Sequence, residues 1–322
     1  MPTIVHAALF LATFLTTTMA GAIHQHASGA IAPINDGLSY SVPLMLILLC
    51  HELGHYVVAR RHGVDATLPF FIPFPPWVGL GTMGAIIGMR RATTDRKKLI
   101  DVGAAGPLAG LCVAIPVLLY GLSLSKVEPL APAGMLEGNS ILYALLKHAS
   151  KGLWLPDAHQ DVYLHPTAYA GWVGLLVTMI NLLPIGQLDG GHVATAYFGN
   201  RYNAFARRLH AIMPLVALGV VFWVRHLVRV EMGVHYHEGQ AFKISIEAAF
   251  PWLMWFALVG VVRRAGGGVN HPPVQPRPRP PSRKALFWLM VIVFVAIFMP
   301  VPLRESVTGV EPPPETTTAV NP

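Results

Sequence analysis

Long apolar runs separated by shorter polar stretches set the frame of this chain. They cover about 4–23, 41–59, 102–122, 167–183, 211–228, 248–262 and 285–301. A helix rises about 1.5 Å per residue, so roughly 20 apolar residues cross the hydrocarbon of a bilayer. The pattern predicts an all-α polytopic membrane protein with six or seven transmembrane helices. The first run contains Ala20-Gly21-Ala22, the form of a signal-peptide cleavage site. No Lys or Arg precedes it, and a retained helix is the preferred reading. Between 68 and 89 the chain is apolar without being helical. Pro69, Pro73, Pro75 and Pro76 exclude a helix, and 79–89 is rich in Gly and β-formers. Such backbone at membrane depth must be buried in protein or line a cavity, so a re-entrant β-hairpin-like segment is expected after the second helix.

The implied organisation has 1–40 as a first transmembrane helix or signal-like segment and 41–200 as the membrane core. Additional transmembrane helices fill 201–262, and a Pro/Arg-rich cytosolic linker covers 263–284. A final transmembrane helix at 285–303 precedes a disordered tail at 304–322. The stretch 123–166 reads as a polar loop with helical periodicity near 141–148, and no internal repeat is visible.

Composition agrees with this class. Of 322 residues, 53% are apolar and only 12% charged, against about 25% charged in soluble chains. The net charge of +7 is not accompanied by an aromatic-basic reading surface, so no nucleic-acid partner is expected. The basic residues mark topology instead. Arg60, Arg61, Arg90, Arg91, Arg96, Lys97 and Lys98 lie between the second and third runs. Arg201, Arg207 and Arg208, and the cluster from Arg263 to Lys284, fall on the same side, which is therefore cytosolic. Arg225 and Arg229 depart from the pattern. The second and fourth runs are then parallel, with their carboxyl ends in one leaflet. Cys50 and Cys112 lie in apolar runs and suggest no disulfide framework.

Within the second run stands His51-Glu52-Leu53-Gly54-His55. Residues i and i+4 share a helix face, so the two imidazoles can grip one metal ion. Glu52 is offset by about 100° and can act on a water held there. Ionisable groups in a membrane-length segment mark a functional site by default. Catalytic zinc takes three protein ligands. Asp189, expected at the end of the fourth span and at a compatible depth, is the favoured third, and His192 is the weaker alternative. His62 lies one residue away from the position used in the extended soluble motif and beyond the membrane edge. Glu128 and Glu137 fall on the opposite side.

HELGH on one membrane helix, Asn181-Leu182-Leu183-Pro184 and Leu188-Asp189-Gly190 on a later one, and Ala105-Gly106-Pro107 between them resemble the site-2 protease family of intramembrane zinc metalloproteases. The likeness covers about 40–200, the catalytic core. The 123–166 loop is too short for a PDZ domain, so the chain is similar to compact PDZ-less members such as the chloroplast proteins of plants. The resemblance implies one Zn2+ held by His51, His55 and Asp189, with Glu52 as general base. It implies hydrolysis of peptide bonds of transmembrane substrates within or near the bilayer, as in regulated intramembrane proteolysis. Asn181 is read either as an oxyanion donor or as the partner of a backbone carbonyl freed by Pro184. The 79–89 strand is expected to pair with an unwound substrate. The pairs His24/His26 and His235/His237 read as solvated, and the glycines of 265–268 as linker. Two other classes compete, a metal-binding membrane transporter and a catalytically silent homologue. The absence of a repeat argues against the first and the intact Glu52 against the second. The expected setting is a prokaryotic cell membrane, with the zinc site in the cytosolic leaflet. The expected partners are the lipid bilayer and a transmembrane protein substrate, and the oligomeric state stays open.

Overall fold

The computed structural model describes residues 3–25, 34–77, 79–88, 93–130, 133–157, 159–232, 238–264, 271–276 and 280–307. Helices α1 (Thr3–Gln25) and α2 (Ile34–Arg61) lead into a hairpin of β1 (Phe70–Pro73) and β2 (Thr82–Ile86). Helix α3 (Arg96–Leu124) follows, then β3 (Lys126–Pro129), β4 (Ala133–Glu137), α4 (Ile141–Lys151) and β5 (Gln160–Tyr163). Helices α5 (Pro166–Asn181), α6 (Asp189–Phe198), α7 (Tyr202–Met232), α8 (Glu238–Arg264) and α9 (Lys284–Ile297) precede the last strand, β6 (Leu303–Val307).

Among the described residues five helices are long and apolar enough to cross a membrane: α1, α2, α3, α7 and α8. This is a mostly helical, multi-pass membrane protein, with fewer such helices than the six or seven expected. The fourth and seventh apolar runs form α5, of 16 residues, and α9, of 14. Both fall short of the roughly 20 residues of a lone crossing. Pro184 and Pro300 follow their ends and cannot continue a helix.

Small residues on α3 and α5 set the packing. Side-chain carbons at Gly121 and Gly171 would collide with Ala168 and with Leu118, and Gly174 faces Ile47. These contacts give direction as well as distance. Along α2 and α5 the pairs Ser39–Thr167, Ile47–Gly174 and His51–Asn181 ascend together, so the two helices are parallel. Along α3 and α5 the pairs Gly121–Ala168 and Leu118–Gly171 run in opposite senses. Trp172, Leu118 and Ile47 fill the centre of this layer. Helices α7 and α8 form a second core, with Val220, Val224 and Val228 packed among residues such as Ala241, Ile244 and Ala248. Arg225 and Arg229, the charges that departed from the topology pattern, both face Glu238, Arg225 as its close partner and Arg229 at 4.0 Å.

The β1–β2 hairpin is antiparallel, with Phe71 opposite Ala85. It is anchored on α1 by the edge-to-face pair Phe10–Phe71 and by the Thr16 hydroxyl donating to the Gly81 carbonyl at 2.7 Å. Tyr40 of α2 adds a bond to the Leu80 carbonyl at 3.1 Å. Among the described residues β2 pairs with β1 alone, which leaves its other edge without a partner strand.

The expected polar loop at 123–166 is folded instead. Strand β3 pairs with β5, and β4 pairs with β6 from beyond α9. Residues 303–307 are therefore strand rather than the start of a disordered tail, because they complete a sheet whose other strand lies far back in the chain. Residues 308–322, His26, the 235/237 pair and the glycines of 265–268 lie outside the described residues.

Candidate metal centre

Helical periodicity puts His51 and His55 on the α2 face that meets α3. Glycine makes the room. A side-chain carbon at Gly106 would land against Nε2 of His55, well inside van der Waals distance, and one at Gly110 would lie 3.2 Å from Nδ1 of His51. Gly54, inside HELGH, likewise lets α2 close on Ala105 and Ala109. The small-residue motif of α3 is thus the floor of the site.

Asp189 reaches the same place by a different route than expected. It does not end the fourth span. Helix α5 stops at Asn181, a turn occupies 182–188 with Gly186 at φ 59°, and Asp189 opens the separate helix α6. A side chain at Gly190 or Gly191 would strike the carbonyls of Leu182 and Gly186, so both glycines are needed to fold α6 against this turn. The far end of α6 is clamped by Arg96, which donates from Nε to the Ala196 carbonyl at 2.6 Å and from its terminal guanidinium to Tyr197 at 2.5 Å. A cation at a helix carboxyl end also complements the helix dipole.

Three ligand atoms converge there. Nε2 of His51 lies 3.1 Å from Asp189 Oδ2, Nε2 of His55 lies 3.1 Å from Asp189 Oδ1, and the two Nε2 atoms are 3.2 Å apart. His51 and His55 are 3% and 5% exposed. Nδ1 of His55 donates to the Val102 carbonyl at 2.7 Å, which fixes the tautomer and turns the Nε2 lone pair of a neutral ring toward the cluster. Donors about 2.0–2.1 Å from one tetrahedral ion stand roughly 3.3 Å apart. Two imidazoles and a carboxylate, held close to that spacing in a buried pocket, fit zinc in both chemistry and separation.

Glu52 is buried at 4% exposure, with His55 and Asp189 as its electrostatic neighbours. The Asn181 carboxamide lies 3.4 Å from Nε2 of His51. The carbonyl left over before Pro184 does not need it, because Leu183 N–H donates to the Ile180 carbonyl at 3.0 Å. His62 is turned away, 3.1 Å from Asp101, which also takes a bidentate pair from Arg283. His192 is outside the three-atom cluster and bonds to His271, 2.7 Å away. Sequence reasoning missed His271 altogether, since it stands in a proline-rich stretch with no motif around it.

The sequence profile of Peptidase family M50 matches residues 39–224, which hold every residue of this cluster. The chain is 36% identical over 193 residues to "Probable zinc metalloprotease EGY1, chloroplastic" of Arabidopsis thaliana, covering 58% of this chain and 34% of that protein. It is 34% identical over 193 residues to "Probable zinc metalloprotease EGY2, chloroplastic" of the same plant, covering 59% and 33%. The chain thus spans about a third of the length of the curated relatives it matches. With more than half of its length matched by the profile, and with the metal cluster inside that match, the chain belongs to Peptidase family M50.

Proposed function

We propose that this protein is an intramembrane zinc metalloendopeptidase that hydrolyses peptide bonds of transmembrane substrates within or near the bilayer. The observation that carries the reading is the convergence of His51, His55 and Asp189 on one point beside the buried Glu52. His51, His55 and Asp189 would hold the ion. Bound zinc supplies Lewis acidity that polarises a carbonyl and makes water acidic enough to react near neutral pH. Glu52 takes the proton of the attacking water on its carboxylate and delivers it to the leaving amine nitrogen. Asn181 donates from Nδ2 to the developing oxyanion. Burial of His51, Glu52 and His55 limits the competition of bulk water for them, while Asn181 and Asp189 stand at the partly exposed side of the cluster.

The same proposal covers placement. The catalytic unit is 41–200, with α5 and α9 completing seven crossings and β1–β2 re-entering the bilayer. The metal site lies in the cytosolic leaflet of a prokaryotic cell membrane. Support for the leaflet comes from Arg60 and Arg61 closing α2 just past His55 and from the further cations that open α3. The open edge of β2 receives the unwound substrate as an added strand, with the exposed Met83 and Ile86 beside it. Pro at Ala85 and Ile87 should then reduce cleavage while zinc stays bound, and unchanged turnover would remove the strand from the mechanism.

The deciding experiment compares membrane proteomes of cells carrying the wild type or Glu52→Gln. Single-pass proteins that accumulate uncut only with Glu52→Gln, while the purified variant keeps its zinc, are the expected result. Identical proteomes from two zinc-loaded forms would sink the protease reading.

A further inference from the structure

The stretch 271–276 is built into the core rather than strung past it. The Asn203 carboxamide grips His271 at both backbone groups: Oδ1 accepts from the N–H at 2.9 Å and Nδ2 donates to the carbonyl at 3.1 Å. Asn200 repeats this at Val274, at 2.8 and 3.0 Å. The Gln275 N–H donates to the Thr94 carbonyl at 3.0 Å. Each carboxamide stands in for a neighbouring strand, and His271 and Val274 are buried as a result. A simple tether needs none of these bonds.

What this strap delivers is an imidazole to His192. The two rings meet edge to face, with His192 Nδ1 and His271 Nε2 2.7 Å apart. Nδ1 of His271 lies 2.7 Å from the Pro272 carbonyl oxygen, which can only accept. The proton of neutral His271 is therefore on Nδ1 and its Nε2 is an acceptor. The proton between the rings then belongs to Nδ1 of His192, and Nε2 of His192 keeps its lone pair. His192 stands on the first turn of α6, three positions after Asp189, with its Cβ packed over Gly103 of α3. It is within electrostatic range of Asp189 and His55.

We propose that His271 is a positioning residue for the metal centre: acting through His192, it locks the orientation of the first turn of α6, the turn that carries Asp189. This rests on the reading of His51, His55 and Asp189 as metal ligands. The strap links the α8–α9 connection to the catalytic core, so residues 79 positions apart share one hydrogen-bond chain.

The test uses the full chain in detergent with cobalt(II) in place of zinc, reading the visible absorption bands and the affinity against a competing chelator. His271→Ala should shift the bands and weaken metal binding by up to about 10-fold, the low end of the cost of losing an outer hydrogen-bond partner, because His192 is one step removed from the ligands. His271→Gln, whose carboxamide oxygen can accept from His192, should restore most of both. Asn203→Ala, which loosens the strap and leaves both rings intact, should give a smaller shift of the same kind. If His271→Ala does not fold, the Gln and Asn203 variants decide the matter by the same spectra. Wild-type bands and affinity in the His271→Ala or Asn203→Ala protein would overturn the relay, as would a Gln variant no better than Ala at equal thermal stability. A wild type that takes up no cobalt would instead overturn the metal reading beneath it.

Discussion

Two buried polar clusters sit toward opposite ends of α3, and they differ in one respect. Near its start, His51, His55 and Asp189 bring acceptor atoms together, and among the described residues no Lys or Arg pairs with Asp189. Beyond its end, Glu137 and Asp161 also converge, but on Lys147, at 3.5 and 3.4 Å. Lys147 is fully buried, lies over the Tyr143 ring at 4.7 Å, and shares Glu137 with the Tyr143 hydroxyl at 2.8 Å. Burial pushes the Glu137 carboxyl above its usual range, and Lys147 pulls it back only in part. The second cluster carries its own cation and ties α4 to strands β4 and β5. The first cluster lacks one, and buried charge without a partner is costly. A cation from outside the chain would resolve that cost, so the first cluster is suited to hold a metal and the second to act as cement.

Breaking the first cluster should have the largest effect. His55→Ala or Asp189→Ala should remove bound metal and bring cleavage to background, checked by elemental analysis and a substrate assay. Glu52→Gln should lower cleavage about 10²–10⁴-fold, the range for losing a general base, with metal content unchanged. Lys147→Met turns the second cluster into an unpaired one and should cost about 3–5 kcal/mol of stability. Its metal content should stay at the wild-type level, and thermal unfolding of the loaded protein measures the loss. Metal loss in that variant would show that the two clusters are not independent. The floor of the metal site gives a finer contrast. Gly106→Ala should weaken metal binding about 10–100-fold because it displaces the ligand ring, and Gly110→Ala should do less because His51 needs to yield only a few tenths of an ångström.

The smallest expected effect is on pH dependence. A carboxyl whose folded-state value is raised contributes stability that is present below its unfolded value and lost as pH rises through the folded one. Glu137→Gln, which cannot ionise, should therefore flatten the fall of the melting temperature between those two values. An unchanged profile would move the origin of any such fall to another group.

The ease of reading differed between these regions as well. HELGH was legible because its chemistry is local: one helix and a four-residue spacing put two rings on one face. Asp189 was found through its motif, but the element carrying it was not. Whether a chain continues past Pro184 or turns and restarts depends on what α6 packs against, namely the 182–186 carbonyls and Arg96. The ends of α5 and α9 fall before those of their apolar runs, by two and four residues, because an apolar run marks burial without marking where helical bonding ends. Within 123–166 the periodicity near 141–148 announced α4, but nothing local announced β4, which finds its partner after α9.

The sequence by itself determined the membrane class and put His51, Glu52 and His55 on one buried helix, because helical periodicity and the cost of charge in an apolar run act over a few residues. Only the tertiary structure decided that Lys147 pairs within the chain, why Gly106 admits no side chain, and that His271 meets His192. Those outcomes depend on distances between residues that are far apart in the chain, and local spacing carries no record of them.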